Sequence, residues 1–312
     1  MSLPNHVTKW VRVNHEHIFK GSFGKLLGSQ EAKIVELSKT AASFQFVLPS
    51  RLEFSKDQGL SCSAAMAIFD DLSTIGFMAG DATGRPGVSV HLTTTLLRSV
   101  PVGTDLTLKT SIDKVGAKMG FTSMKLVLTK DPEVVVAVGR HVKYLPIGNW
   151  LIDNIILHPS IWPLLVNNLL YEDGTNFFEK TGLVKPFVQQ IPFEEKANVF
   201  KAMNFAPSSQ PVMSTRVTQA FCNPMRSMHG GAVAMSAELA CQNARPAGAA
   251  PGSVVTDLSV VYYSALVGEI TVEAKPDEHD PFVSGGILRR SKSTQAAAQF
   301  TARWGNVKPA SS

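Results

Sequence analysis

The sequence predicts an α+β protein made of two copies of one unit, each an antiparallel β-sheet wrapped around a single helix. Three observations carry this. Pro86-Gly87 and Val102-Gly103 recur as Pro251-Gly252 and Val267-Gly268, each displaced by 165 residues. A helix of small residues stands just upstream of each copy, at 61–79 and at 229–244. Beyond each helix, apolar and polar residues alternate in segments rich in Val, Thr, Leu and Ile and broken by Gly turns. One small helix followed by several antiparallel strands buries itself only if the sheet wraps around it.

In chain order, 32–53 supplies strands ahead of the first helix, and strands near 88–98, 104–115, 119–129 and 134–145 follow it. In the second copy a strand over 212–221 precedes the helix, and strands near 254–263, 269–275, 282–290 and 294–304 follow. This gives units at 1–148 and 207–312, joined by a connector at 149–206. The connector carries helical pieces around 160–171 and 193–203, interrupted by Pro159, Pro163, Pro186, Pro192 and Pro207. The two units are expected to pair either edge to edge or through their helices.

Composition narrows the function classes. With 44% hydrophobic and 18% charged residues in 312, the chain is a folded globular protein long enough for two cores. The most apolar stretch outside the helices, 150–170, is interrupted by Asp153, His158, Pro159 and Pro163, so no membrane span is expected. Residues 1–20 lack the apolar core of a secretory signal, and their Lys9, Arg12 and Lys20 are only mildly basic, which points to the cytoplasm, with the mitochondrial matrix as the alternative. Cys62, Cys222 and Cys241 form no CxxC pair; they argue for a reducing compartment and against a zinc site, and are expected to be small buried residues. The net charge of +5 suits an anionic ligand, but the basic residues are spread, unlike those of a nucleic-acid binder.

The segment with the clearest chemistry is Asn223-Pro-Met-Arg-Ser-Met-His229-Gly230-Gly231, which opens the second helix, with Glu238 nine residues after the His. A helix start offers unpaired N–H groups and partial positive charge, fit to hold an oxyanion, and glycine there lets a carbonyl approach the backbone. Glu238 cannot serve its own helix start, since nine residues of helix span about 13 Å. A carboxylate for this site must come from a partner helix running antiparallel alongside.

Together with Pro86-Gly-Val-Ser-Val-His-Leu, Gly120-Phe-Thr-Ser and Gly139-Arg-His-Val-Lys-Tyr-Leu, this segment resembles the hotdog-fold acyl-CoA thioesterases, nearest to their phenylacetyl-CoA thioesterase-like branch. The resemblance implies a double hotdog that hydrolyses an acyl-CoA at the interface between units. It needs no cofactor beyond the coenzyme A of its substrate, and further assembly into homo-oligomers is implied. Carried over by position, Asn223, His229 and the Gly230 N–H would orient and polarise the thioester carbonyl, Asp70 would act as base or nucleophile, and Ser89 would position water. The reciprocal site would combine Ser55, Ser61 and Cys62 with Glu238 and Val254, and has lost every expected group but the carboxylate. One working site per chain is therefore expected.

Each residue also has a plainer reading. Gly230 and Gly231 could serve only close helix packing, Ser89 could be an exposed hydroxyl, and Asp71 is expected on a solvated helix turn. Burial is expected to push the Asp70 carboxyl upward. Arg140, Lys143, Arg289, Arg290 and Lys292 could hold coenzyme A phosphates, though a solvated strand face is the preferred reading of each. Asp153 and His158 echo the spacing of hotdog enoyl-CoA hydratases without their sequence context, and are set aside as coincidence. The principal rival to an enzyme is a non-catalytic acyl-CoA-binding or scaffold protein.

Overall fold

A computed structural model describes residues 3–18, 23–55, 58–145, 158, 161, 164, 198–205, 212–223 and 226–310. Most of the expected connector, including Asp153 and all but two residues of its 160–171 piece, lies outside these described residues.

The first unit runs α1 (Asn5–Val13), α2 (Phe23–Leu27), β1 (Lys33–Leu37), β2 (Ala41–Val47), α3 (Cys62–Gly80), β3 (Val88–Leu96), β4 (Arg98–Ser99), β5 (Asp105–Val115), β6 (Met119–Leu128) and β7 (Val135–Tyr144). Of the connector's expected 193–203 helical piece the described part is α4 (Val199–Ala202), and the second unit runs β8 (Val212–Arg216), α5 (Gly230–Asn243), β9 (Val254–Tyr262), β10 (Glu269–Pro276), β11 (Val283–Arg290), β12 (Ala298–Gly305) and β13 (Lys308–Pro309). The two main strand sets share one 11-stranded sheet in the order β1-β2-β5-β6-β7-β3-β9-β12-β11-β10-β8. Apart from β1, which extends one edge, the halves mirror each other about the β3–β9 seam. That seam is antiparallel, from His91 opposite Val261 to Thr95 opposite Asp257. The units pair both ways at once: edge to edge through this seam, and helix to helix through α3 and α5.

Three expected strands are corrected at their ends. The 32–53 segment is two strands followed by a short 3-10 turn at Ser50–Leu52, not strand throughout. β8 stops at Arg216 and the chain turns at Gln219–Phe221, because β10, its partner, begins at Glu269 opposite Arg216. β12 starts at Ala298 rather than 294, since its partner β11 ends at Arg290 and the intervening residues make the turn.

α3 is buried on every side between the sheet and α5, which is why it lacks a polar stripe. It is long and apolar enough to cross a membrane by length and composition, yet it is core. Ser61 caps its start by accepting the Ala64 N–H. Its large residues point into the sheet: Phe77 occupies the space that a side chain at Gly120 would need, 1.8 Å from the ideal Cβ position. Full burial of one such phenylalanine stabilises the fold by about 2–3 kcal/mol. Its small residues face α5, so the two helices approach closely. A Cβ on Gly231 would lie 2.7 Å from the Ala67 Cα.

Candidate active site

Two contacts fix the register of the antiparallel helix pair. The Gly231 N–H, in the first turn of α5, donates to Asp70 Oδ2 at 3.0 Å, halfway along α3. In the pseudo-symmetric position the Ser63 N–H, in the first turn of α3, donates to Glu238 Oε2 at 2.8 Å, halfway along α5. Each helix start thus receives a carboxylate from the other unit's helix.

Around Asp70 the groups are dense. Ser89, from β3, donates its hydroxyl to Asp70 Oδ1 at 2.7 Å. His141 Nε2, from β7, lies 2.9 Å from the same Ser89 oxygen and 3.4 Å from Asp70 Oδ1, and its Nδ1 is 2.8 Å from Ser73 Oγ. An ionised Asp70 can only accept, so Ser89 donates to it and itself accepts from His141 Nε2–H. His141 Nδ1 then accepts from Ser73. On the other side, His229 Nδ1 is 3.1 Å from Asp70 Oδ2, and its Nε2 is 3.5 Å from Asp71 Oδ1. The buried Lys143 ammonium donates to Thr74 Oγ1 at 2.8 Å. Tyr262, from the end of β9, donates its hydroxyl to the Gly230 carbonyl at 3.0 Å.

Gly230 has a specific steric role. A Cβ there would come within 2.6 Å of Asp70 Oδ2 and 3.3 Å of the Tyr262 oxygen, so only glycine leaves room for the carboxylate. The Gly230 N–H donates to no described residue, and the residue is only partly buried, which leaves this amide open to a ligand. Gly231 serves the other reading, close packing of the helices.

Burial alone would raise the Asp70 carboxyl. The facing His229, His141 and Lys143 and the Ser89 hydrogen bond outweigh it and hold the group at about 2, the reverse of the upward push expected from burial. Burial, helped by repulsion from Lys143, presses His141 down to about 3 against the pull of Asp70. Burial also opposes charge on His229, but Asp70 and Asp71 more than offset it, and its pKa is raised. Burial lowers Lys143 to about 8 although both aspartates pull the other way.

These directions make acid stability testable. A histidine depressed in the fold stabilises it above the unfolded value near 6.5, and that contribution is lost as pH falls toward about 3. His229, raised, is mostly protonated in both states below pH 6 and adds little slope there. His141→Gln is therefore expected to flatten the fall in unfolding free energy between pH 6 and 4 by up to about 1.4 kcal/mol per pH unit. Urea melts across that range measure it; slopes equal to those of the unmodified protein would contradict the neutral, buried ring.

Of the residues singled out in the sequence, Asp70, Ser89, His229, Gly230 and Gly231 converge, and Ser89 is bonded rather than exposed. Asn223 does not reach them: its side chain binds Ser227 Oγ and the Ser227 N–H, closing its own turn. Asp71, expected on a solvated turn, is 1% exposed because α3 has no solvent face. Lys143, expected on a solvated strand face, is 3% exposed because it points inward with His141, while Arg140, the neighbour that precedes His141, is exposed on the outer face. Arg289 bonds Thr271 and pairs with Glu273, Arg290 bonds the Ala265 carbonyl, and Lys292 is exposed. In the twin cluster Ser61 Oγ is 3.3 Å from Ser63 Oγ, Cys62 is buried with its thiol pushed up by burial, and burial raises Glu238. Ser55 is exposed, and Val254 starts β9 opposite Gly305. Cys241 is buried as expected, but Cys222 is only half-buried.

Ser73, His141 and Tyr262 were not anticipated. For His141 a signal existed: in β7, Gly139, His141 and Lys143 share one face, and Gly139 packs on Phe69 of α3, so the alternation turns all three inward.

Residues 62–135 match the family model of the thioesterase superfamily. Acyl-coenzyme A thioesterase 13 of Homo sapiens and that of Mus musculus are each 32% identical over 78 residues, covering 25% of this chain and 54% of theirs. The chain thus spans about half the length of the curated relatives it matches. A putative oleoyl thioesterase from Lactobacillus plantarum superposes over 86% of this chain and 96% of its own, with a TM-score of 0.53 and 9% identity. A tesB protein of Mycobacterium avium subsp. paratuberculosis does so over 91% and 99%, with a TM-score of 0.51 and 11% identity. At these identities the likeness is one of fold. The chain is a double hotdog in fold, and residues 62–135 of its first unit match the thioesterase-superfamily model.

Proposed function

We propose that this protein hydrolyses an acyl-CoA to the free acid and coenzyme A at one composite site between its two units. The observation that carries the reading is the Asp70 carboxylate of one unit held at the start of the other unit's helix, beside an open Gly230 N–H. The thioester oxygen would accept from that N–H at the positive end of α5, where charge develops in the tetrahedral intermediate. Asp70, ionised throughout the neutral range, would then activate water or attack the carbonyl itself, its orientation locked by Ser89 and, behind it, His141. Choice of coenzyme A rests on the sequence resemblance and on the printed names of the curated relatives, supported by the net positive charge.

Thiol release over a panel of short, long and aryl acyl-CoAs tests the reading. Turnover of at least one, beyond the solvent rate, is expected. Measurable binding of an acyl-CoA with no turnover of any would replace the enzyme by the binding or scaffold protein, a reading that the eroded twin cluster favours.

A further inference from the structure

We propose that Asp71 is a positioning residue for this site: with Asp70 it grips both ring nitrogens of His229 and holds that ring as an imidazolium beside the Gly230 amide. The kinetic consequence rests on the thioesterase reading; the grip itself does not.

Asp71 is 1% exposed, and no described residue other than His229 is placed to donate to its carboxylate oxygens. A buried carboxylate in that condition is costly unless a cation faces it. The group that faces it is His229 Nε2 at 3.5 Å, an ion-pair distance, while Asp70 Oδ2 holds Nδ1 at 3.1 Å. Consecutive residues on a helix project about 100° apart, so Asp70 and Asp71 straddle a ring seated against α3. The Phe23 ring of α2 closes another side, its centroid 5.2 Å from that of His229.

The charged and titratable groups around His229 are few. α3 supplies Asp70 and Asp71; β7 supplies Lys143, whose charge opposes the imidazolium, and His141, which is neutral. β9 supplies Tyr262, whose phenol is pushed up by burial and by Asp70 and stays neutral. Two carboxylates outweigh one ammonium. A proton on Nδ1 also settles a local competition. The Gly231 N–H lies 3.0 Å from both His229 Nδ1 and Asp70 Oδ2, and a protonated Nδ1 leaves it wholly to the carboxylate. The imidazolium then adds positive charge where the thioester oxygen becomes negative. Asp71 reaches the substrate only through this ring.

The test uses the full chain and two readouts, the ¹⁵N titration of the His229 ring and the pH profile of kcat/KM on an acyl-CoA. Removing a carboxylate lowers the pKa of the cation it faces. Asp71→Asn should therefore move the His229 midpoint toward acid by about one pH unit or more and carry the alkaline limb of the profile with it. A folded Asp71→Asn with an unmoved midpoint would overturn the proposal. Should that variant not fold, the unmodified protein decides: ¹⁵N shifts at pH 7 must show both ring nitrogens protonated, and a neutral tautomer overturns the grip. Absence of turnover in the unmodified protein would remove the thioesterase reading and leave the titration result standing.

Discussion

Asp70→Asn is expected to lower kcat for thiol release by about 10²–10⁴-fold and also to lower stability, because a carboxyl held at about 2 stabilises the fold in its charged form. The asparagine is isosteric. Its amide oxygen can keep the Gly231 N–H, and its amide nitrogen can donate to Ser89 Oγ in place of the bond it loses. What disappears is the negative charge, and with it the base or nucleophile. His229 retains Asp71 as its anion, so the helix start stays formed. Steady-state kinetics beside a thermal melt separate the two effects. A folded variant that still turns over at the rate of the unmodified protein would place the chemistry elsewhere.

The second large effect is on stability. Gly231→Ala should destabilise the chain by about 1–3 kcal/mol, although alanine is the better helix former by about 1 kcal/mol. The new methyl would sit 2.7 Å from the Ala67 Cα and Cβ and 3.2 Å from the Phe23 Cε1. The phenylalanine ring can yield, but the α3 backbone cannot without separating the helices. Overpacking against backbone therefore outweighs propensity. Separation would also lengthen the contact between the Gly231 N–H and Asp70 Oδ2, so activity should fall along with the midpoint of denaturation. A more stable Gly231→Ala would mean that the helix pair is looser than its geometry.

Strand positions and both central helices were legible because alternation and Gly turns recur at one spacing in both copies, whereas the order of the strands in the sheet was not. Strand ends were less so, as at β8, where pairing stops with the partner strand rather than with any local signal. That a carboxylate must cross between the helices followed from helix length and the duplication, and the resemblance named Asp70; Asp70 and Glu238 do cross to the other helix. The charge state of Asp70 was not legible. It depends on His229 from the other unit and on His141 and Lys143 from a strand far along the chain. Asp71 was misread because a lone charged pair on a helix usually marks its wet face, and α3 has none. Asn223 bonds Ser227 instead, a local preference that spacing along the chain does not reveal.

One working site per chain is tested most directly by thiol release from Glu238→Gln measured beside Asp70→Asn. Burial raises the Glu238 carboxyl, and glutamine mimics its neutral form while keeping an oxygen for the Ser63 N–H. With a single composite site, Glu238→Gln keeps most of the turnover and Asp70→Asn loses nearly all of it. Equal losses in the two would contradict it.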